Sequence, residues 1–351
     1  MDSTYAGKYG QLSVLGTELL SSDFIEQLEQ KEPEEFLKSL SSTGYRREID
    51  AFSALYKVPY LVEVALNAHA MRMMRNAYMA VPPLARDFVM AYASKWDIEN
   101  IKLILSSKKL GYVLESTEIF LMVQRNVPVG VISGPITMEE YREIIEQKDM
   151  EAVVHALTRY GYGTVLLKYL NDVLRTGDIS EMVVALDLAY YDRLMSSLKF
   201  YNGDEGLMLR YVKELVDVKN IMSALKASAF GYRDVGNYLI KGGNIPESKI
   251  AEIAGKPIED AKSAMPFNID EAFELYKRDP YLAYFEAALR GQLYRKYLKL
   301  FDESAISLAY IVGYMIRAEI ERDELRLAWM NRYYNVSRER VENVKVLKHL
   351  K

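Results

Sequence analysis

Carboxylates recur along this chain at a spacing that would place them on one face of a helix, and that is where chemistry is first sought. Asp97 stands in Lys95-Trp96-Asp97-Ile98-Glu99-Asn100-Ile101-Lys102-Leu103-Ile104-Leu105. Asp217 stands in Leu215-Val216-Asp217-Val218-Lys219-Asn220-Ile221-Met222-Ser223-Ala224-Leu225, and Glu321 in a degraded third copy, Glu319 to Trp329. Each copy has an apolar residue, an acid, Asn or Glu three places on, then apolar residues one, four and five places later. The three acids lie 120 and 104 residues apart. Residues three apart are neighbours on a helix, so Asp97–Asn100, Asp217–Asn220 and Glu321–Glu324 form three polar pairs.

A second acid recurs upstream of each pair, in Val62-Glu63-Val64-Ala65, Leu186-Asp187-Leu188-Ala189 and Phe285-Glu286-Ala287-Ala288. It precedes the first acid by 34, 30 and 35 residues, a near-constant interval that lifts the pattern above coincidence. Carboxylates on helices can hold magnesium, but that needs two of them converging with others on a facing helix. Here the partner position is Asn or Glu. The acid and amide are instead expected to satisfy backbone or side-chain groups where helices pack, or to line an inner surface that meets a partner. The candidate structural or interface residues are therefore Glu63, Asp97, Asn100, Asp187, Asp217, Asn220, Glu286, Glu321 and Glu324. No catalytic, cofactor-binding or metal-binding residue is assigned, and no cofactor is expected.

Other chemistry fails on spacing. His69, His155 and His349 are the three histidines, and no two have metal-ligand spacing. His69 and His155 sit in apolar helical runs, whereas His349 in the basic tail reads as solvated. Gly255-Lys256-Pro257 lacks the hydroxyl residue and upstream glycine of a phosphate loop. Tyr160-Gly161-Tyr162-Gly163-Thr164 lacks the third glycine of a dinucleotide site and reads as a turn between helices. There is no cysteine, which removes disulfides and thiolate chemistry and fits a reducing compartment.

The elements that must position these residues are helical. Leu, Met, Ala, Glu and Lys dominate, and alternating β-branched runs are nearly absent. Thr137-Met138-Glu139-Glu140 is a capping box opening a helix through Tyr141, Ile144 and Ile145. Leu186, Ala189, Tyr190, Leu194 and Leu198 form a helical stripe within 182–200. Turn signals fall at Val127-Pro128-Val129-Gly130, Ser133-Gly134-Pro135, Asn202-Gly203, Lys241-Gly242-Gly243-Asn244 and Asp279-Pro280. No flexible linker separates them, so one continuous helical body is expected. The 351 residues are 50% apolar and 27% charged, with a net charge of −4, which argues against wholesale nucleic-acid binding. The first residues lack the basic and apolar regions of a signal peptide. The longest apolar run, 305–316, falls short of the roughly 18–20 residues needed to cross a bilayer and suits a buried core helix. The 27 tyrosines cluster near the recurring helices, among them Tyr190, Tyr191, Tyr201, Tyr211, Tyr276, Tyr281, Tyr284, Tyr294 and Tyr297. They are expected at the core's edge, some of them facing partners.

The chain resembles the C subunits of archaeal and bacterial A/V-type rotary ATPases, relatives of the d subunit of V-ATPases. The resemblance is carried by Trp96 to Lys102, by Asp217 to Ile221, by Ala318 to Arg326 and by the stretch from Leu186-Asp187 to Arg193-Leu194. It covers essentially the whole chain; the third copy departs from the pattern with Glu324 in place of Asn. The resemblance implies an all-α protein of three pseudo-threefold helical repeats forming a funnel. The units would be residues 1–125, 126–265 and 266–351. It implies a non-catalytic central-rotor adaptor, peripheral on the cytoplasmic side of the membrane. Its partners would be the central-stalk subunits and the cytoplasmic face of the membrane proteolipid ring, and it would couple ATP synthesis or hydrolysis to ion movement. A generic helical scaffold for other soluble proteins is the alternative.

Overall fold

The computed structural model describes residues 3–117, 120–123, 127–198, 205–232 and 235–350. Tyr201, the Asn202-Gly203 turn and the end of the 182–200 stretch lie outside the described residues. Among the described residues the chain forms eighteen α-helices, five short 3-10 turns and one three-stranded antiparallel sheet. The all-α expectation holds. The sheet is the exception: β1 (Leu114–Ser116), β2 (Phe120–Val123) and β3 (Val127–Val131), with Leu114 opposite Val123 and Phe120 opposite Val131. Val127-Pro128-Val129-Gly130, expected as a turn, is most of β3. Its position at a sheet edge leaves room for the proline, which cannot donate to a ladder.

The chain divides into two compact units, one of Ser41–Lys199 and one of Met1–Leu40 with Phe200–Lys351. The second is discontinuous in sequence, whereas the absence of linkers predicts one continuous body.

In the 41–199 unit three long helices, Tyr60–Ala80, Arg86–Leu110 and Ser180–Ser197, carry most of the core. Leu186, Tyr190, Leu194 and Leu198 are buried along the expected stripe, with Ala189 at its margin. The capping box forms in full: Thr137 accepts from the Glu140 N–H, and Glu140 reaches back to the Thr137 N–H at 2.7 Å. The Arg86–Leu110 helix opens after Pro82-Pro83 with Asp87 in its first turn. It closes on Lys108 and Lys109 and a left-handed Gly111 (φ 77°), so acids and bases oppose the helix dipole at each end. The Tyr160–Thr164 segment is the expected turn, with Gly161 at φ 84° between a 3-10 turn and the Tyr162–Leu166 helix.

In the other unit the long helices are Glu205–Phe230, Ala283–Glu303 and Leu308–Tyr333. The apolar run at 305–316 is a buried core helix as expected, beginning at Leu308 behind an N-cap from Ser307. The N-terminal helices pack on it, placing Phe36 against Trp329 with ring centroids 5.3 Å apart. Tyr211, Tyr297 and Phe301 form a buried aromatic cluster. Tyr211 and Tyr297 thus lie inside the core, while Tyr281 is exposed.

Candidate functional site

The Arg86–Leu110 helix buries Asp97 and Asn100 one turn apart, beside Ile101, Ile104 and Leu105. The Asp97 carboxylate accepts from the Ile136 N–H at 3.3 and 3.4 Å, from the Tyr141 hydroxyl at 2.7 Å and from the Tyr162 hydroxyl at 3.4 Å. Asn100 Nδ2 donates to the Val131 carbonyl at 2.8 Å. The pair therefore straps the end of β3 and the entry to the Met138–Ile145 helix onto one helix face. Gly134 sits so close beneath Asp97 that a Cβ would overlap the carboxylate. Burial pushes the Asp97 carboxyl up to about 7, against the opposing pull of Tyr141, the Ile136 N–H, the Arg193 charge and Tyr162. Burial and the neighbouring Asp97 charge push the Tyr141 hydroxyl up in turn.

The Glu205–Phe230 helix repeats the arrangement. Asp217 Oδ1 accepts from the N–H groups of Asn244 and Ile245 at 2.9 and 3.0 Å, and Oδ2 accepts from Asn244 Nδ2 at 3.2 Å. Asn220 donates to the Ile240 carbonyl at 2.8 Å and accepts from the Ile240 N–H at 2.9 Å. Gly243 occupies the place of Gly134: its Cβ would meet Asp217 Oδ1. The strapped residues keep step, with Val131, Gly134 and Ile136 each 109 positions before Ile240, Gly243 and Ile245. In both copies a helix follows, Met138–Ile145 and Glu247–Gly255. The carboxylate thus supplies acceptors to N–H groups at a helix entry, where such groups lack intrahelical partners.

The third copy divides the work. Glu321 accepts from the Leu20 N–H, near the start of the chain, while Glu324 Oε1 accepts from the Leu347 N–H at 3.0 Å, near its end. Glu324 is fully buried and its Oε2 has no partner among the described residues. Burial pushes its carboxyl up to about 7, opposed by the Leu347 N–H and Lys345.

The upstream acids do not join these clamps. Asp187 accepts from Lys102 Nζ at 2.8 Å, tying the Ser180–Ser197 helix to Arg86–Leu110. Glu63 is half-buried on Tyr60–Ala80. Glu286 is exposed and borders a cleft with Arg290 and Asp323. Among the described residues no group of three or more His, Asp or Glu is placed to hold a metal ion. His349, expected to be solvated, is half-buried with its Cβ carbon against Gly291, and burial lowers its pKa.

Two features of the site escape a reading of the sequence alone. Gly134 and Gly243 have the look of ordinary turn residues, although their spacing to the following helix is the same. The ends of the recurring helices also match. Leu110-Gly111-Tyr112 and Phe230-Gly231-Tyr232 stand 13, 14 and 15 places after Asp97 and Asp217, and Tyr334-Asn335-Val336 after Glu321. The middle residue is left-handed in all three, with φ 77°, 75° and 53°. Leu110, Tyr112, Phe230, Tyr232 and Tyr334 are all exposed, an apolar tip on each helix.

A family model described as the ATP synthase (C/AC39) subunit matches residues 9–344. The C subunit of the A-type ATP synthase of Thermoplasma volcanium is 38% identical over 354 residues, covering 99% of this chain and 99% of that protein. Its counterpart in Thermoplasma acidophilum is 38% identical over 352 residues, 98% of each chain. The corresponding A-type protein of Methanocaldococcus jannaschii is 25% identical over 328 residues, 91% of this chain and 80% of that one.

Proposed function

The chain belongs to the ATP synthase (C/AC39) subunit family, and from that membership we propose that it works as a non-catalytic rotor adaptor of an A-type ATP synthase. It links the central stalk to the cytoplasmic face of the membrane proteolipid ring and carries torque between ATP chemistry and ion movement. In this reading the units 1–125, 126–265 and 266–351 are arranged about a pseudo-threefold axis as a funnel whose socket takes the foot of the stalk. The observation that carries the proposal is the likeness to A-type C subunits along nearly the whole of both chains.

Physical considerations support it. A shaft and a many-fold ring differ in symmetry, so an intermediate must grip both and must not deform under load. Buried carboxylate–amide clamps suit that task, because each fixes a loop to a long helix through two or more backbone groups in a low-dielectric setting. Among the described residues no helix is long and apolar enough to cross a membrane, which accords with a part that rests on the ring. Exposed apolar tips that recur on three helices suit partner contacts.

Affinity purification of the complex through a ring or stalk subunit tests the assignment. This chain is expected in the purified assembly, and its deletion is expected to separate stalk from ring and abolish coupled ion pumping. Intact assembly with coupled pumping in its absence would overturn the proposal. A pulldown on this chain that returned soluble proteins but no ring or stalk subunit would favour the helical scaffold.

A further inference from the structure

The 41–199 unit contains a cationic cavity that no clamp and no recurring motif uses. It is a half-open cavity of about 330 Å³ between the Arg46–Phe52 and Tyr60–Ala80 helices. Three arginines line it, Arg47, Arg72 and Arg75, against a single glutamate, Glu48. Phe52 and Met71 supply an apolar wall.

The basic side is built rather than incidental. Arg72 Nε donates to Glu48 Oε1 at 2.7 Å, and its Nη2 donates to the Gly44 carbonyl at 3.4 Å. His69 Nδ1 lies 3.0 Å from Arg72 Nη2 and 3.3 Å from Glu48 Oε2, and the His69 ring stacks on Tyr45 with centroids 3.8 Å apart. This buried network fixes the Arg72 guanidinium at the cavity wall. Burial works against the Glu48 charge, but His69 and Arg72 outweigh it and hold the carboxyl below its usual range, so Glu48 keeps its charge and its grip on Arg72. Arg46 is taken up by Asp50. Arg47 and Arg75 are exposed and make no ion pair among the described residues. Like charges gathered without a counter-ion repel one another, and this happens in a chain whose overall charge is negative.

We propose that this cavity binds a phosphate-bearing anion, with Arg47 and Arg75 closing on the phosphate beside the fixed Arg72 and the organic part resting on Phe52 and Met71. The lining carries two more positive charges than negative ones, which a phosphomonoester dianion neutralises and a single carboxylate does not. Guanidinium forks match phosphate oxygens in pairs. The ligand is either a soluble phosphate ester or the headgroup of a phosphomonoester lipid, since both present the same dianion. The inference stands apart from the rotor assignment, as the cavity contains none of the residues used there.

The test uses the purified full-length chain at low ionic strength, titrated with inorganic phosphate and pyrophosphate against sodium chloride of matched ionic strength. A saturable rise in melting temperature is expected with the phosphates only. Arg47→Gln and Arg75→Gln lie on the surface and are expected to fold normally by circular dichroism while weakening binding about tenfold or more each. Sedimentation with phosphatidylcholine vesicles, with and without phosphatidic acid, separates the two sources. Binding that requires phosphatidic acid and both arginines assigns a lipid headgroup, whereas phosphate binding without vesicle binding assigns a soluble ester. The proposal is overturned if neither phosphate nor phosphatidic acid binds saturably, or if binding survives both substitutions. Binding of poly-glutamate with no response to phosphate would overturn it in favour of an acidic protein segment.

Discussion

Asp97 and Asp217 sit at the same step of the same helical motif, and each receives backbone N–H groups from the entry to the following helix. What surrounds them differs. Two tyrosine hydroxyls close over Asp97 within its own unit. Asp217 instead takes a second backbone N–H and the side chain of Asn244, from a loop that is partly exposed. The mechanical task recurs while the electrostatic setting does not. A repeated motif thus transmits the part of its chemistry that depends on backbone geometry, and loses the part that depends on whichever side chains pack over it.

The largest expected effect comes from removing the acids. Asp97→Ala strands one backbone N–H and two tyrosine hydroxyls in a fully buried place, and leaves a void. Each buried unpaired group costs about 1–3 kcal/mol, so a loss of roughly 3–5 kcal/mol in urea unfolding is expected. Asp217→Ala exposes its stranded N–H groups to water more readily and is expected to cost about 2–3 kcal/mol. Equal losses at the two sites would break the contrast between a sealed clamp and an open one.

Next come the glycines, which test what the two sites share. Gly134→Ala and Gly243→Ala each push a methyl group onto a carboxylate that is held by hydrogen bonds. Overpacking of this kind costs about 1–3 kcal/mol, and similar losses are expected at both. A neutral result at either position would mean that the two loops do not grip their acids alike.

The acids and amides are legible in the sequence; their partners are not. Helical spacing identifies which face Asp97 and Asn100 share, because that depends on residues three and four apart. Tyr141 and Tyr162 lie 44 and 65 positions downstream, and no local periodicity points to them. The capping box at Thr137 is readable because its two halves are adjacent in sequence. β3 is not, since a five-residue edge strand containing Pro128 and Gly130 has the composition of a turn. The split roles of Glu321 and Glu324, reaching Leu20 and Leu347, depend on how the chain ends fold back within one unit. The glycine-centred helix ends at 111 and 231 stand in the sequence at a fixed offset from each acid. They need the exposure of their neighbours to become meaningful.

A smaller effect sharpens the electrostatic half of the contrast. The Asp97 carboxyl is raised by burial from 3.8 to about 7, so the folded protein binds a proton there that the unfolded chain has released. That stabilisation is complete below about pH 4 and is lost as pH rises through about 7. Asp97→Asn removes the titration while keeping most of the shape. The stability gap between wild type and Asp97→Asn is therefore expected to narrow as pH rises from about 4 to 7, by at most about 1.4 kcal/mol per unit. Glu324→Gln is expected to narrow in the same direction, since its carboxyl is also raised to about 7. A gap that stays constant or widens with pH would mean that these carboxylates stay charged when buried.

The smallest expected effect on stability falls on the helix tips, where the two motif copies look alike again. Tyr112 and Phe230 are 51% and 69% exposed, so replacing either by Ser removes almost no buried area and is expected to shift unfolding by less than about 0.5 kcal/mol. Their left-handed glycines close both helices through backbone hydrogen bonds to the last turn, and the exposed rings at the tips are available for a contact outside the fold. If that is assembly, Tyr112→Ser and Phe230→Ser should leave the isolated chain unchanged yet lower its yield in complexes purified through a stalk or ring subunit. The double variant should lower it further, because separate contacts add when their sites are independent. Loss of yield from one tip alone would assign the partner surface to one copy of the motif. Full yield from the double variant would remove the tips from the assembly and leave the clamps as the recurring motif's sole task.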